Sequence, residues 1–222
     1  MDALLQQFFN FDIMMQASPI ILRGFGMTLL LCLVVIPMGL LGGLAVALAS
    51  LSPIRAVRWI TIVFVDLFRA IPPLALLIFV SAGLPFADIR ISPFTAVCIS
   101  FLLNNSAYYG EIYRSGIESI GSGQSDASRS TGLSATQTMA YVILPQAVRN
   151  VLPDLVSNTV EVVKLTSLAS VVAFAELLYA ADMARSVTYN ASPITFAAVL
   201  YLIVLWPVVR LLSRLENKIQ NQ

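Results

Sequence analysis

Long stretches without a charged residue limit what this sequence can fold into. The clearest one covers residues 24–54, where no Asp, Glu, Lys or Arg occurs. About 20 apolar residues in a helix cross the hydrocarbon core of a bilayer, where a helix satisfies its own backbone hydrogen bonds. The chain is 58% hydrophobic and 11% charged, whereas about 25% of the residues in a soluble domain are charged. The sequence therefore predicts an all-α integral membrane protein.

Five transmembrane helices are predicted from these apolar windows. Their limits are Met27–Leu51, Trp59–Leu84, Arg90–Glu111, Asp154–Glu176 and Arg185–Arg210. They occupy one domain at residues 23–222. Residues 1–22 mix apolar and polar side chains and are too short and polar to span, so we expect an N-terminal periplasmic or interfacial segment.

The Lys and Arg residues are unevenly distributed around these spans, and cytoplasmic loops collect them. With the N-terminus outside, eight of them face the cytoplasm and three face outward. The cytoplasmic group is Arg55, Arg58, Arg114, Arg129, Arg149, Arg210, Arg214 and Lys218, and the outer group is Arg23, Arg90 and Arg185. We therefore expect an N-out, C-in topology.

The loop at about residues 115–150, between the third and fourth spans, is polar at its centre yet patterned. A short helix over residues 124–131 is expected to end at Gly132, because glycine best tolerates a left-handed C-cap. Ser134 and Gln137 then have the spacing of a capping box that begins the next helix. These signals predict two short helices on the cytoplasmic face.

In this loop, residues 123–134 read GQSDASRSTGLS, and residues 143–147 read ILPQA. These two stretches together resemble the EAA signature of ABC-importer permeases. The family pattern has Glu-Ala-Ala, a Gly some residues later, and a Leu-Pro beyond it. Here Asp126 replaces the Glu and Ser128 replaces the second Ala, so an acidic residue is retained. Pro145 is expected to end or kink its helix.

The similarity to this family covers nearly the whole chain from Gly24 on. Beyond the loop, the matching segments are Gly26–Leu29, Phe68–Pro72, Ala107–Ile117, Lys164–Ser170 and Leu215–Glu216. Their combination resembles the polar amino acid uptake branch. That resemblance implies the type I ABC importer permease fold and a multi-pass position in the bacterial inner membrane.

The resemblance also implies partners. It implies that a short cytoplasmic coupling helix docks in an ABC ATPase subunit. It also implies that a second permease chain, identical or homologous, completes the solute path, and that a periplasmic or lipid-anchored binding protein delivers a small polar amino acid. The expected coupling residues are Gln124, Asp126, Ala127, Arg129, Gly132 and Pro145. The chain has no P-loop motif and no histidine. We therefore expect ATP and Mg²⁺ to bind to the partner ATPase, and we expect no catalytic residue, metal site or cofactor in this chain. We also expect the chain to contact membrane lipid and no nucleic acid.

Ionisable residues inside a membrane are costly and are often functional. Glu161 and Lys164 lie three residues apart on one helix. Glu161 is either a salt-bridged structural acid or the contact for a substrate's ammonium group, and the second role favours a cationic solute. For Asp66 and Arg69, we expect a local ion pair, with a ligand site as the alternative.

The expected substrate-pathway residues are Arg69, Asn104, Tyr108, Glu161, Lys164, Thr166 and Ser167. Pore lining and interhelical hydrogen bonding are both open for the polar patch at residues 104–108. Gly39, Gly42 and Gly43 are expected to allow close helix packing.

A secondary transporter or a channel is the alternative. A secondary transporter would usually carry an inverted repeat with interrupted helices in both halves, and none is evident here. Neither alternative explains the patterned cytoplasmic loop.

Overall fold

The computed structural model describes the backbone of residues 2–220 and the side chains of residues 2–211. Within this part the chain forms helices and turns but no strand, which confirms the all-α prediction. The side chains of Arg214, Leu215, Glu216 and Lys218, used above for topology and resemblance, lie outside the described ones.

Eleven α-helices are present among the described residues. They are α1 (Asp2–Phe8), α2 (Phe11–Ser50), α3 (Arg55–Ala70), α4 (Pro73–Ile78), α5 (Pro93–Glu118), α6 (Ser122–Ser130), α7 (Ala135–Thr138), α8 (Leu144–Asn150), α9 (Leu152–Leu165), α10 (Leu177–Thr188) and α11 (Ser192–Gln220). Short π or 3₁₀ segments follow α4 (Phe79–Gly83 and Leu84–Ala87), α7 (Met139–Ile143) and α9 (Thr166–Val172).

Three helical segments of the described chain are long and apolar enough to cross a membrane. They are Asp2–Ser50, Leu152–Val172 and Ser192–Leu211. A fourth is added if α3 and the helix Pro73–Ala87 are counted together as one broken span. Helix α5, with 26 residues, is long enough to cross a membrane. It carries two asparagines and two adjacent tyrosines in its middle, however, and is therefore not apolar enough to be counted as a span by composition.

By its contacts the chain divides into two compact units. The first consists of Met1–Ile36, Pro72–Phe101 and Val160–Gln222, and the second of Pro37–Ile71 and Leu102–Thr159. In the first unit, Ile21 of α2, Leu177 and Ala181 of α10 and Ala197 of α11 are buried together. The small side chains of Ala181 and Ala197 let the helices approach closely at these positions.

The N-terminal segment is attached to the first unit by hydrogen bonds. The Asn190 side chain donates to the Gln6 carbonyl at 2.9 Å, and the Ala191 amide donates to the Gln7 carbonyl at 3.0 Å. The Asn10 amide donates to the Ser192 hydroxyl at 2.8 Å. Helix α2 continues without a break past residue 22, so the boundary drawn there stays a prediction.

In the second unit, glycines on α2 lie against α5. A Cβ atom at Gly39 would lie 2.9 Å from Cβ of Asn105, and one at Gly43 would lie 2.4 Å from Cβ of Tyr109. At Gly42 it would lie 2.1 Å from Oγ of Ser106. The prediction that these glycines allow close helix packing is confirmed.

The loop between α5 and α9 has the predicted local structure. Helix α6 ends next to Gly132, whose φ is +92°, a conformation that side chains with a Cβ rarely adopt. The capping box of Ser134 and Gln137 is complete: the Gln137 amide donates to Ser134 Oγ, and the Ser134 amide donates to Gln137 Oε1 at 2.8 Å. A π-helical segment interrupts the α-helical pattern before Pro145, which lies in the first turn of α8, and the helical run continues through the proline.

Candidate functional site

The segment at residues 121–137 is the most exposed stretch of the loop. Every residue in it is exposed except Ser125, Ser128 and Leu133. The Ser128 hydroxyl donates to the Gln124 carbonyl at 2.6 Å, and the Ser130 hydroxyl donates to the Asp126 carbonyl at 2.9 Å. These hydroxyls are therefore occupied by the backbone of α6.

The longer polar residues of α6 form its outer surface. Gln124, Asp126 and Arg129 are exposed, and within the described part of the chain neither charged residue has an ion-pair partner. Ala127 adds a small exposed side chain between them. Five of the six expected coupling residues therefore lie on or next to one exposed helix, and the sixth, Pro145, begins α8.

A second group of candidate residues lies where α3 ends. Pro72 favours extended backbone at Ile71, which ends the helix and leaves its last carbonyls without intrahelical partners. The Asn104 amide of α5 donates to the Phe68 carbonyl at 2.9 Å, and the Tyr108 hydroxyl donates to the Arg69 carbonyl at 3.4 Å. For these two residues, the interhelical bonding role is confirmed.

The expected ion pair between Asp66 and Arg69 is wrong. Among the described residues, the guanidinium of Arg69 faces Glu111 of α5 at 4.0 Å and lies 5.5 Å from the centre of the Tyr108 ring. Residues three apart can pair on a helix surface, but here α5 offers Arg69 a carboxylate and an aromatic face. Sequence reasoning used Glu111 only as the limit of a span.

Glu111 belongs to a short series of charges along α5. Arg114 donates from Nε to Glu111 at 3.1 Å and from Nη1 to Glu118 at 2.6 Å. The spacing of three and four residues places all three side chains on one helix face. That spacing is readable from sequence, whereas the approach of Arg69 from another helix is not.

Glu161 and Lys164 form the predicted i,i+3 ion pair on α9. Their side chains are 59% and 50% exposed, so the pair is not buried within its unit. The Ser167 hydroxyl donates to the Lys164 carbonyl at 2.8 Å. Thr166 is fully buried and donates to the Val163 carbonyl at 2.6 Å. The first unit thus groups these four candidates on one helical segment.

Glu176 is a fully buried acid that sequence reasoning used only as a span limit. Its carboxylate accepts from the amides of Leu178 and Tyr179, both at 2.8 Å, and so caps the N-terminus of α10. The Thr28 and Tyr201 hydroxyls lie 3.5 and 3.3 Å away. A carboxylate immediately before an apolar helical run is the sequence signal that would have identified this cap.

Replacing Asn104 with leucine is expected to lower the free energy of unfolding by about 1–3 kcal/mol, because the Phe68 carbonyl loses its partner. Asn105 is the matched control. Its Nδ2 is buried and has no partner among the described residues, so the same change there is expected to be nearly neutral. Thermal unfolding of the purified protein in detergent compares the two, and equal losses would contradict the assignment.

Comparison with known proteins agrees with this geometry. The family described as "Binding-protein-dependent transport system inner membrane component" matches residues 36–221. The glutamine transport system permease protein GlnP of Escherichia coli (strain K12) is 34% identical over 219 residues, covering 96% of this chain and 98% of that protein. The arginine transport system permease protein ArtQ of Bacillus subtilis (strain 168) is 28% identical over 214 residues, covering 96% and 98%.

Solved structures show the same fold. A crystal structure of an amino acid ABC transporter with histidines contains a chain that is 34% identical, with a TM-score of 0.83 over 92% of this chain and 96% of that one. An inward-facing structure of the MetNI methionine ABC transporter, at 20% identity, matches with a TM-score of 0.75 over 89% and 94%. The fold is therefore that of an ABC importer permease. This chain belongs to the family of inner membrane components of binding-protein-dependent transport systems, as a multi-pass permease component of the amino acid ABC transporter branch rather than a catalytic one.

Proposed function

We propose that this chain is the five-span, N-out, C-in permease of an importer whose ATP-hydrolysing subunit docks on α6. The exposure of residues 121–137 carries the proposal. Asp126 and Arg129 have no ion-pair partners among the described residues. Two such charges on an exposed helix favour a surface that binds a partner protein over a loop that contacts only solvent. A second permease chain, identical or homologous, completes the solute path, and a separate binding protein supplies the solute from outside.

The coupling mechanism is mechanical. Closure of two ATPase subunits around ATP and Mg²⁺ moves the groove in which α6 lies, and the rigid turn at Gly132 passes this movement to α7 and α8. A small displacement at a rigid short helix becomes a rigid-body switch of the packed helices that follow it. Alternating access then results from the ATPase cycle.

The solute is a polar amino acid of the glutamine, arginine or histidine type. The names of the glutamine and arginine permeases compared above, and of the crystal structure with histidines, support this class. Glu161 supports a cationic member of it, because its side chain is more than half exposed and its carboxylate accepts only from Lys164 among the described side chains. A solute ammonium or guanidinium can share that carboxylate.

Replacing Glu161 with glutamine separates the two roles of this residue. Uptake of arginine, histidine, glutamine and glutamate is measured in the complete system, with the matching binding protein for each solute. Selective loss of the cationic solutes is expected if Glu161 contacts substrate. Equal loss of all four would show a salt bridge that only maintains the fold.

Replacing Asp126 with lysine is expected to lower capture of the ATPase subunit at least tenfold, because it reverses a charge in the docking helix. Capture is measured by co-purification of the separately tagged ATPase from membranes. The control is Asp182→Lys, which reverses an exposed acid on α10 that pairs with Arg185. Unchanged capture by the Asp126 variant would contradict docking through α6.

A further inference from the structure

Helix α3 carries its polar side chains on one face. Arg58, Thr61, Asp66 and Arg69 recur at intervals of three to five residues. The interval of 11 residues between Arg58 and Arg69 corresponds to about 16 Å along the helix. The opposite face presents exposed apolar residues, Ile60 and Val63 among them. Such a division in a membrane helix requires water, protein or solute against the polar face.

This polar face lines a cleft of about 310 Å³ in the second unit. Helix α5 contributes the other wall through its own charged series. The charged lining residues are Arg58, Asp66, Arg69, Glu111, Arg114 and Glu118. Three are cationic and three anionic, so the cleft is neutral as a whole while it contains charges of both signs.

Not all of these charges are paired with one another. Arg114 is held by Glu111 and Glu118 through short hydrogen bonds. Arg69 reaches Glu111 only at 4.0 Å, a distance beyond a direct hydrogen bond. Arg58 and Asp66 have no ion-pair partner among the described residues. The cleft therefore offers guanidinium groups and one carboxylate to a ligand.

We propose that this cleft is a second solute site, which receives the amino acid on the cytoplasmic half of the path. The guanidinium group of Arg69 holds the solute carboxylate, and Asp66, three residues earlier on the same face, holds its ammonium group. This inference rests on the amino acid transport and the N-out orientation proposed above. Arginine is suited to carboxylates because its planar fork donates two hydrogen bonds.

The charge balance distinguishes a zwitterion from an anionic lipid. A basic pocket between membrane helices binds lipid phosphate through an excess of positive charge. Here three carboxylates offset three guanidinium groups, and a phosphate would lie against Asp66 as well as against Arg58. A free amino acid carries both charges and matches both.

The first test asks whether the cleft is wet and whether the solute fills it. Ile62 lines the cleft and is 40% exposed, whereas Val63 is 59% exposed but does not line it. Each is replaced by cysteine in the complete transporter, and a charged, membrane-impermeant thiol reagent is added on the cytoplasmic side. Both native cysteines, Cys32 and Cys98, are buried.

The cysteine from Ile62→Cys is expected to react about tenfold faster than that from Val63→Cys, because ionisable groups in membrane helices face water-filled space. Saturating glutamine or arginine, whichever the complete system transports, is expected to slow the reaction several-fold. Equal rates at the two positions, or a rate that solute leaves unchanged, would overturn the proposal. A cleft covered by a second permease chain would give the first of these contrary results.

The second test measures transport. Asp66→Asn is expected to lower the maximal uptake rate about tenfold, while the KM for solute-loaded binding protein stays unchanged, because the site acts after delivery. The control is Asp154→Asn, an exposed acid in the first turn of α9 that does not line the cleft. Wild-type uptake by the Asp66 variant would overturn the proposal. Both variants must still capture the ATPase, and loss of capture by the unmodified chain would instead contradict the proposed function.

Discussion

Replacing Gly43 with valine is expected to prevent assembly of the protein in the membrane. A Cβ atom at residue 43 would lie 2.4 Å from Cβ of Tyr109 and 2.9 Å from the backbone nitrogen of Gly110. Neither atom is at the end of a flexible side chain, so relief requires α2 and α5 to separate. Overpacking of a rigid contact of this kind costs about 3 kcal/mol or more. The measurement is the yield of monodisperse protein from detergent extracts.

Gly26 provides the control within the same helix. A Cβ atom there would have no neighbour within 4 Å, so Gly26→Val adds the same β-branched side chain without the clash. We expect near wild-type yield for this variant. If both variants were recovered equally well, the close approach of α2 to α5 would be incorrect.

Replacing Gly132 with valine is expected to abolish uptake while leaving the protein in the membrane. The residue has a φ of +92°, and a β-branched side chain at such a backbone conformation costs about 1–3 kcal/mol. The strain is relieved by re-orienting α6 against α7, which misplaces the coupling helix. Solute uptake driven by ATP in proteoliposomes measures the effect, and normal protein yield shows that the fold survives.

Gly121 is the matched control at the other end of α6. It is equally open, with no atom within 4 Å of an added Cβ, but its φ is −60°. Gly121→Val therefore tests added bulk without backbone strain, and we expect uptake at or near the wild-type level. Equal loss in both variants would show that bulk, and not the turn geometry, disturbs docking.

The local structure of residues 121–137 was predictable because its signals are local. The left-handed residue at Gly132 and the capping box of Ser134 with Gln137 each involve residues within four positions of one another. The resemblance to the EAA signature depended on the same short stretch. Local backbone chemistry of this kind does not depend on long-range packing, and the two local predictions, the left-handed Gly132 and the capping box, agree with the structure.

The charged cleft was not predictable in the same way. Asp66 and Arg69 have the spacing of a helical ion pair, yet Arg69 faces Glu111, which is 42 positions further along the chain. Which helices approach each other decides that pairing, and a single sequence does not contain this information. Counting polar residues at helical spacing would have identified the polar face of α3. It would not have shown that α5 forms the opposite wall of the cleft.

The span count shows a related limit. Helix α5 carries polar residues in its middle, among them Asn104, so a hydropathy criterion passes over it even though the Asn104 amide is hydrogen-bonded to the Phe68 carbonyl of α3. The buried carboxylate of Glu176 was missed for the opposite reason, because an acid between two apolar windows was read as a limit of the membrane region. In the structure it caps α10 from a fully buried position.

Reconstitution of the purified chain tests the central claim most directly. Proteoliposomes are prepared with the chain alone under a proton or sodium gradient, and with the chain together with its ATPase, its partner permease if one is needed, the binding protein and ATP. The account predicts amino acid uptake only in the complete, ATP-supplied system, and no ATP hydrolysis by the chain alone. Gradient-driven uptake by the chain alone would contradict it.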